Sequence, residues 1–230
     1  MTSSSSATFW HAVISYTAMS LRRNAILFLI CSAAWAADYR VKPVRLLPIE
    51  SYPSQMTTGG ITIAADPYNT DEKSYTVFDI KDLNSRGYFP VNIIIQNQTS
   101  SYVQLRTQNI VLLTSDARSL YPTSSTLLVE DVIRAGFLSK LPKMSSRDQT
   151  TSTKEGSPLI DFTTKELKNE PIEPGATVNG FLFFYSAEKK KNILGGSALI
   201  IPPLTVEGGQ KGIGPFSIAL HPAMNNQLQK

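Results

Sequence analysis

The sequence predicts a mainly β fold, an antiparallel β-sandwich carrying a short helical insertion. Two observations predict it. Short runs of alternating apolar residues recur along most of the chain, separated by Pro, Gly and Asn turn clusters. The regular alternation of strands and helices that a parallel α/β fold requires is missing. With 230 residues, 42% hydrophobic and 17% charged, the chain is long enough to bury a core and too apolar to be disordered.

Residues 1–36 read as an export signal. Arg22 and Arg23 form a positive region, Ala25 to Ile30 an apolar core, and Ala34-Trp35-Ala36 the small-x-small pattern cut before Ala37. The uncharged run ending at Ala37 is too short to span a bilayer, which takes about 20 apolar residues. Met19 is an alternative start, since Met19 to Ala36 is a complete short signal by itself. Lipidation at Cys31 is disfavoured by the bulky Ile30 before it, and the arginine pair lacks the rest of a twin-arginine pattern. Removing these 36 residues leaves 194. Of the 22 basic side chains only Arg22 and Arg23 are lost, so the net charge falls from +4 to +2. The mature chain has no cysteine, and its single histidine is His221, which excludes disulfides, zinc-cysteine sites and cysteine nucleophiles.

Residues 37–59 read as an N-terminal extended segment, and residues 60–225 as one sandwich domain with a helical and flexible insertion at about 124–170. After the Gly59-Gly60 turn, Ile61 and Ile63 alternate with Thr62 and Ala64. Val91, Ile93 and Ile95 form a β-branched run that closes at the turn-forming Asn97-Gln98-Thr99-Ser100-Ser101. Val103 and Leu105 follow, so residues 89–106 are expected to form a hairpin. The Asn97-Gln98-Thr99 triplet has the form of a glycosylation acceptor and is read here as a turn. Ile110 to Leu113 is expected to be a strand buried on both faces.

Val129, Val132, Ile133 and Phe137 then share one helical face, with Ser124, Ser125 and Thr126 as caps. Lys143 to Ser157 is too polar to order itself and reads as a flexible loop. A second helix is expected across Leu159 to Leu167. Pro174-Gly175 turns the chain into a strand from Thr177 to Tyr185, whose aromatic residues should fill the core, and Ala198 to Ile201 and Phe216 to Leu220 are the last strands.

A resemblance rests on Gly60 to Tyr68, Phe78, Asp82-Leu83, Gly87 to Val91 and Ile95 to Asn97, with Ile172 to Gly175 and Gly180 to Phe184 further on. Over residues 60–221 the chain resembles uncharacterised bacterial exported proteins with an immunoglobulin-like β-sandwich. The resemblance implies an immunoglobulin-like fold and export, and it carries no catalytic residue.

The motifs that could carry chemistry are incomplete. Gly195 to Leu199 lacks the last glycine of a nucleophile elbow, and Ser186 to Lys189 has the S-x-x-K spacing without its partner motifs. Gly208 to Gly214 lacks the Gly-Lys-Ser/Thr ending of a phosphate loop. Asp66, Asn69, Asp71 and Glu72 supply oxygen ligands that calcium would accept, though not at calcium-loop spacing, and a helix capped at Asn69 or Thr70 explains them equally. Lys189-Lys190-Lys191 reads as a solvated hairpin tip, and a net charge of +2 lacks the footprint of nucleic-acid binding. Asp79 with Asp82, and Glu130 with Asp131, are the available carboxylate pairs.

No catalytic residue, cofactor or metal is assigned. The sequence points to a non-catalytic exported protein, periplasmic or extracellular and without a membrane helix once processed. It would act as an envelope-associated module towards an unidentified protein or cell-envelope partner. Its contact surfaces would be an exposed sheet edge and the 143–157 segment. A carbohydrate- or calcium-binding sandwich using loop acids and an exposed Tyr68 ranks second, and a hydrolase third. Mass spectrometry of the exported protein is expected to find Ala37 as its first residue; an intact amino terminus in the exported fraction contradicts the signal assignment.

Overall fold

The central strand pairs on both sides along six consecutive residues, Val91 to Gln96, and the rest of the fold is arranged around it. The computed structural model describes residues 39–138, 157–188, 193–208 and 212–221; within 125–138 the side chains of residue 133 and residues 135–138 are not included. Residues 1–36, read as an export signal, with the expected cleavage site at Ala36 and Ala37, most of the 143–157 segment, and Lys189 to Lys191 lie outside the described residues.

The fold is mainly β, with antiparallel sheets and few helices. A five-stranded antiparallel sheet has the order β1-β2-β3-β8-β7, formed by β1 (Gln55–Thr58), β2 (Ile61–Pro67), β3 (Tyr88–Asn97), β8 (Thr177–Tyr185) and β7 (Pro122–Thr123). A four-stranded sheet has the order β11-β9-β5-β6, from β11 (Phe216–Ala219), β9 (Ala198–Ile201), β5 (Val111–Leu113) and β6 (Ser119–Leu120). A small ribbon pairs β4 (Val103–Gln104) with β10 (Thr205–Val206). The described chain also has three α-helices, α1 (Asp71–Tyr75), α2 (Ser125–Leu138) and α3 (Pro158–Lys165), and short 3-10 helices at Ile49–Ser51 and Thr107–Asn109.

Side chains alternate across a strand, so register assigns each residue to a face. On one face Phe89 opposes Phe184 and Val91 opposes Leu182, while Ile63 opposes Ile95. These residues share a core with Leu112, Leu199, Ile201, Phe216 and Ile218 of the second sheet. On the other face Phe181 and Phe183 meet Phe78, Leu128, Val129 and Phe162 from the helical side. Phe78 stacks on Phe162 at 4.2 Å between ring centroids and meets Phe181 edge-on at 5.0 Å, the two arrangements that ring quadrupoles favour. The run Thr177 to Tyr185 thus forms the expected strand, and its aromatic residues serve two cores.

Two expectations are corrected. Residues 89–106 are not a hairpin: β3 pairs with β2 and β8, whereas β4 pairs with β10. The reason is Asn97, which is fully buried and whose Nδ2 donates to the carbonyls of Ser101, Ile172 and Glu173 at 2.9, 3.0 and 3.1 Å. Its Oδ1 accepts from the Thr99 amide and hydroxyl, so the turn is held by a side chain that carries the strand away from β3. Ile110 to Leu113 is also not buried on both faces, since β5 keeps Leu112 inside and leaves Leu113 39% exposed.

Further differences concern what periodicity does not register. The segment read as extended up to residue 59 contains β1, which makes a hairpin with β2 across Gly59-Gly60, both at positive φ. The expected helices are present. Ser124 Oγ accepts from the Leu127 amide at 3.3 Å, and Glu166 accepts from the Ser125 amide and hydroxyl at 3.1 and 2.6 Å, placing a carboxylate at the N-terminus of α2.

Behind β8 the chain crosses very closely. The Leu167 amide donates to the Phe181 carbonyl at 3.0 Å, and a Cβ on Gly180 would lie 2.5 Å from Leu167 Cα. Gly180→Ala therefore forces the backbone at 166–167 away from the sheet and is expected to cost about 2 kcal/mol. In thermal unfolding this is a drop of roughly 4–8 °C in a chain of this size, and an unchanged Tm contradicts the close crossing.

Candidate functional site

An open concavity of the described surface lies over the β4–β10 ribbon. Val103 pairs with Val206 on one side, and on the other it exchanges both backbone hydrogen bonds with Ile172, at 3.1 and 2.7 Å. Val103, Val206 and Ile172 are all buried, which fixes the inward face of this patch. Alternation then turns Tyr102, Gln104 and Thr205 outward. The Glu207 amide donates to the Tyr102 carbonyl at 2.9 Å and so brings Glu207 beside Tyr102. Together with Pro171 these side chains line a cleft of about 330 Å³.

The chemistry of the cleft is simple. Tyr102 is 40% exposed, and among the described residues Glu207 is the only charged one in the lining. Tyr102, Thr205 and Glu207 make no side-chain hydrogen bond among the described residues, while Gln104 donates one N–H to the Asn169 carbonyl at 2.9 Å. The cleft therefore offers a ring face, a carboxylate and two polar groups on a rigid backbone.

Elsewhere, several charged side chains are committed to structure. Asp161 on α3 is buried, bound by Lys165 at 2.6 Å and by the Tyr39 hydroxyl at 2.6 Å. Lys165 also donates to the Val77 carbonyl at 2.7 Å and lies 5.2 Å from the Phe78 ring centre. Burial pushes the Lys165 pKa below its ordinary value even though Asp161 pulls the other way. Burial also disfavours an ionised Asp79, but the hydrogen bonds from Lys42 and the Arg40 amide outweigh it and hold the carboxyl below its usual range. Residues 39–42 thus strap the helical side of the sheet through one hydroxyl, one amide and one ammonium.

The sequence-derived candidates are dispersed. Asp66 pairs with Lys73 at 2.5 Å. Asp71 accepts from the Asn84 and Ser85 amides and the Ser85 hydroxyl. Asn69 lies in the turn before α1, and Glu72 is exposed on its first turn. Thr70 caps that helix, accepting from the Lys73 amide at 3.2 Å. Among the described residues no three acidic, histidine or cysteine side chains form a group that could hold a metal ion. Tyr68, expected to be exposed, is only 5% exposed, because its ring packs edge-on to Phe181 at 5.2 Å.

Ser197 is buried and donates to the Ile193 carbonyl, and Ser186 is buried beneath Arg118. Asp82 pairs with Arg86, and Asp131 accepts from the Tyr88 hydroxyl at 2.8 Å. Glu130 is exposed on α2, and the His221 amide donates to Ser54 Oγ. Of the Gly208 to Gly214 run, residues 209–211 lie outside the described residues.

Sequence reasoning did not single out Tyr39, Asp161, Lys165 or the Tyr102–Glu207 pair. Asp161 and Lys165 have i, i+4 spacing, a signal available in the sequence. Tyr39 is 122 residues from its partner and leaves no pattern. Among the described residues no helix is long and apolar enough to cross a membrane.

No family model matches the chain, and no curated protein matches it in sequence. Among solved structures it is similar to the yjhA protein of Bacillus subtilis at 10% identity and TM-score 0.35, covering 65% of this chain and 78% of that one. It is also similar to ycdA of Bacillus subtilis, described as a candidate lipoprotein, at 12% identity and TM-score 0.36, over 72% of this chain but only 38% of that one. A functionally unknown protein of Listeria monocytogenes matches at 12% identity and TM-score 0.32, over 70% and 80% of the two chains. At these scores the likenesses carry no argument about function.

The buried tyrosines give a pH signature. Burial, reinforced by Asp161 for Tyr39, by Asp66 for Tyr68 and by Asp131 for Tyr88, holds all three hydroxyls well above their ordinary pKa of 10.0, and burial also raises Tyr52. Above about pH 10 the unfolded chain loses protons that the folded chain keeps, so stability falls as pH rises. Lys165 acts with the opposite sign, one group against four. Urea midpoints should drop from about pH 9 to about pH 11, with the tyrosinate absorbance of these four residues appearing on unfolding. A flat midpoint across that range rejects the buried tyrosines as described.

Proposed function

We propose that the protein is a non-catalytic exported domain that binds an envelope component through the β4–β10 cleft. The fold we infer for it is an immunoglobulin-like β-sandwich. Two antiparallel sheets contributing to one core support that fold. Residues 1–36, with the small-x-small site at Ala36 and Ala37, support export.

The observation that carries the binding role is a contrast between two sets of side chains. Asp161, Asp79, Asp66, Asp71, Asp82, Asp131 and Glu166 are each tied to a cation, an amide or a hydroxyl that positions the backbone. Tyr102, Thr205 and Glu207 converge on a cleft without such ties. General acid–base chemistry needs a carboxylate or imidazole aimed at an open site with a second group in reach, and the cleft lining holds one carboxylate and no imidazole. Exposed tyrosine at the centre of a rigid patch is a frequent anchor for binding.

The test is co-sedimentation of the full exported protein with a washed envelope fraction. The wild type is expected in the pellet, and Tyr102→Ala is expected to reduce binding at least about tenfold without lowering Tm. A protein that stays entirely in the supernatant, or a Tyr102→Ala variant that sediments equally well, overturns the reading.

A further inference from the structure

We infer that the β4–β10 cleft is a cation site, taking a guanidinium or alkylammonium group borne on an aliphatic stem. The inference rests on the cleft being the binding face and adds what it binds.

Charge is the first argument. Glu207 is the sole charged residue in the lining among the described residues, and it adjoins Tyr102 through the 2.9 Å amide-to-carbonyl hydrogen bond that pairs their strands. A carboxylate beside an exposed tyrosine ring attracts a cation twice, through its own charge and through the negative face of the ring. An anion meets repulsion from Glu207. A neutral ligand covering the site would strip water from a carboxylate without supplying an opposite charge, which is costly.

Shape is the second. The cleft is about 330 Å³, room for one side-chain-sized group rather than a folded surface. Pro171 supplies an apolar edge along which methylenes can lie while the charged head reaches Glu207. Thr205 Oγ and Gln104 Oε1 add acceptors for the N–H groups, because the Gln104 amide nitrogen already donates one hydrogen to Asn169. A guanidinium has five N–H donors and no acceptor, which suits this lining.

The rest of the molecule shows the same pairing in structural use. Lys42 sits 3.1 Å from the centre of the Tyr75 ring while bound to Asp79 at 3.0 Å, and Lys73 sits 4.5 Å from the Tyr68 ring while bound to Asp66. In both places an aromatic ring and a carboxylate hold one ammonium. At Tyr102 and Glu207 the ring and the carboxylate have no cation of this kind among the described residues.

Calorimetric titration of the full exported protein tests the inference, with agmatine as a free alkylguanidinium, the peptide Gly-Arg-Gly as a side-chain guanidinium, cellotriose as a neutral ligand and citrate as an anion. Agmatine or the peptide is expected to bind with one site per chain, more weakly as salt is added. Glu207→Gln should weaken it about tenfold and Tyr102→Leu about three- to tenfold, with Tm unchanged for both. Binding of the peptide but not agmatine identifies a protein side chain as the source of the cation, and the converse a free amine. The inference is overturned if neither cation binds, if Glu207→Gln leaves their affinity unchanged, or if cellotriose or citrate binds in their place. Loss of envelope sedimentation in Tyr102→Ala combined with no cation binding removes the cation and leaves the binding role standing.

Discussion

The five-stranded sheet is apolar on both faces, and most of the structure answers that constraint. In β3 every residue but Gln96 is buried, and in β8 the five residues from Gly180 to Phe184 are buried in succession. A sheet of this kind must be covered twice. The second sheet covers one face through Leu112, Leu199, Ile201, Phe216 and Ile218. The helices and the chain from Tyr39 to Tyr52 cover the other, in two adjoining clusters around Phe181 and Phe183 and around Ala64 and Ile94.

Covering the second face with short helices and irregular chain brings polar backbone into the interior, and this explains the placement of the buried charges. The Val77 carbonyl and the Tyr39 hydroxyl lie in partly buried positions, and Lys165 with Asp161 satisfies both. A buried pair of this sort adds little net stability, because desolvation offsets most of the attraction, but removing one partner leaves an uncompensated charge. The pair therefore fixes how residues 39–42, 77–79 and α3 fit together. Side chains used in this way are withdrawn from surface chemistry. The ribbon of β4 and β10 differs, because only its inner face meets the core and its outer face is free to form a cleft.

Much of the fold is legible in the sequence. Alternation placed β2, β3, β8, β9 and β11, and helical spacing placed α2 and α3, because those periods follow from backbone geometry alone. Alternation does not say which strand pairs with which. Val103 and Leu105 follow β3 after a turn, as a hairpin partner would, yet the buried Asn97 amide holds three carbonyls and sends the chain to β10. Tyr68 shows the other failure. A tyrosine beside loop acids reads as exposed, but its ring belongs to the aromatic cluster under the helices. The Tyr102–Glu207 pair was not legible at all, since 105 residues separate two side chains that become neighbours only when β4 and β10 align.

The sequence by itself determined the mainly β class, most of the strands, and a chain whose one cysteine, Cys31, precedes the described residues. Each of these follows from local composition or from a period of a few residues. The tertiary structure decided which strands pair, which carboxylates are buried beneath a lysine and a tyrosine, and where the cleft lies. Those outcomes depend on contacts between residues distant in the chain, which local periodicity does not encode.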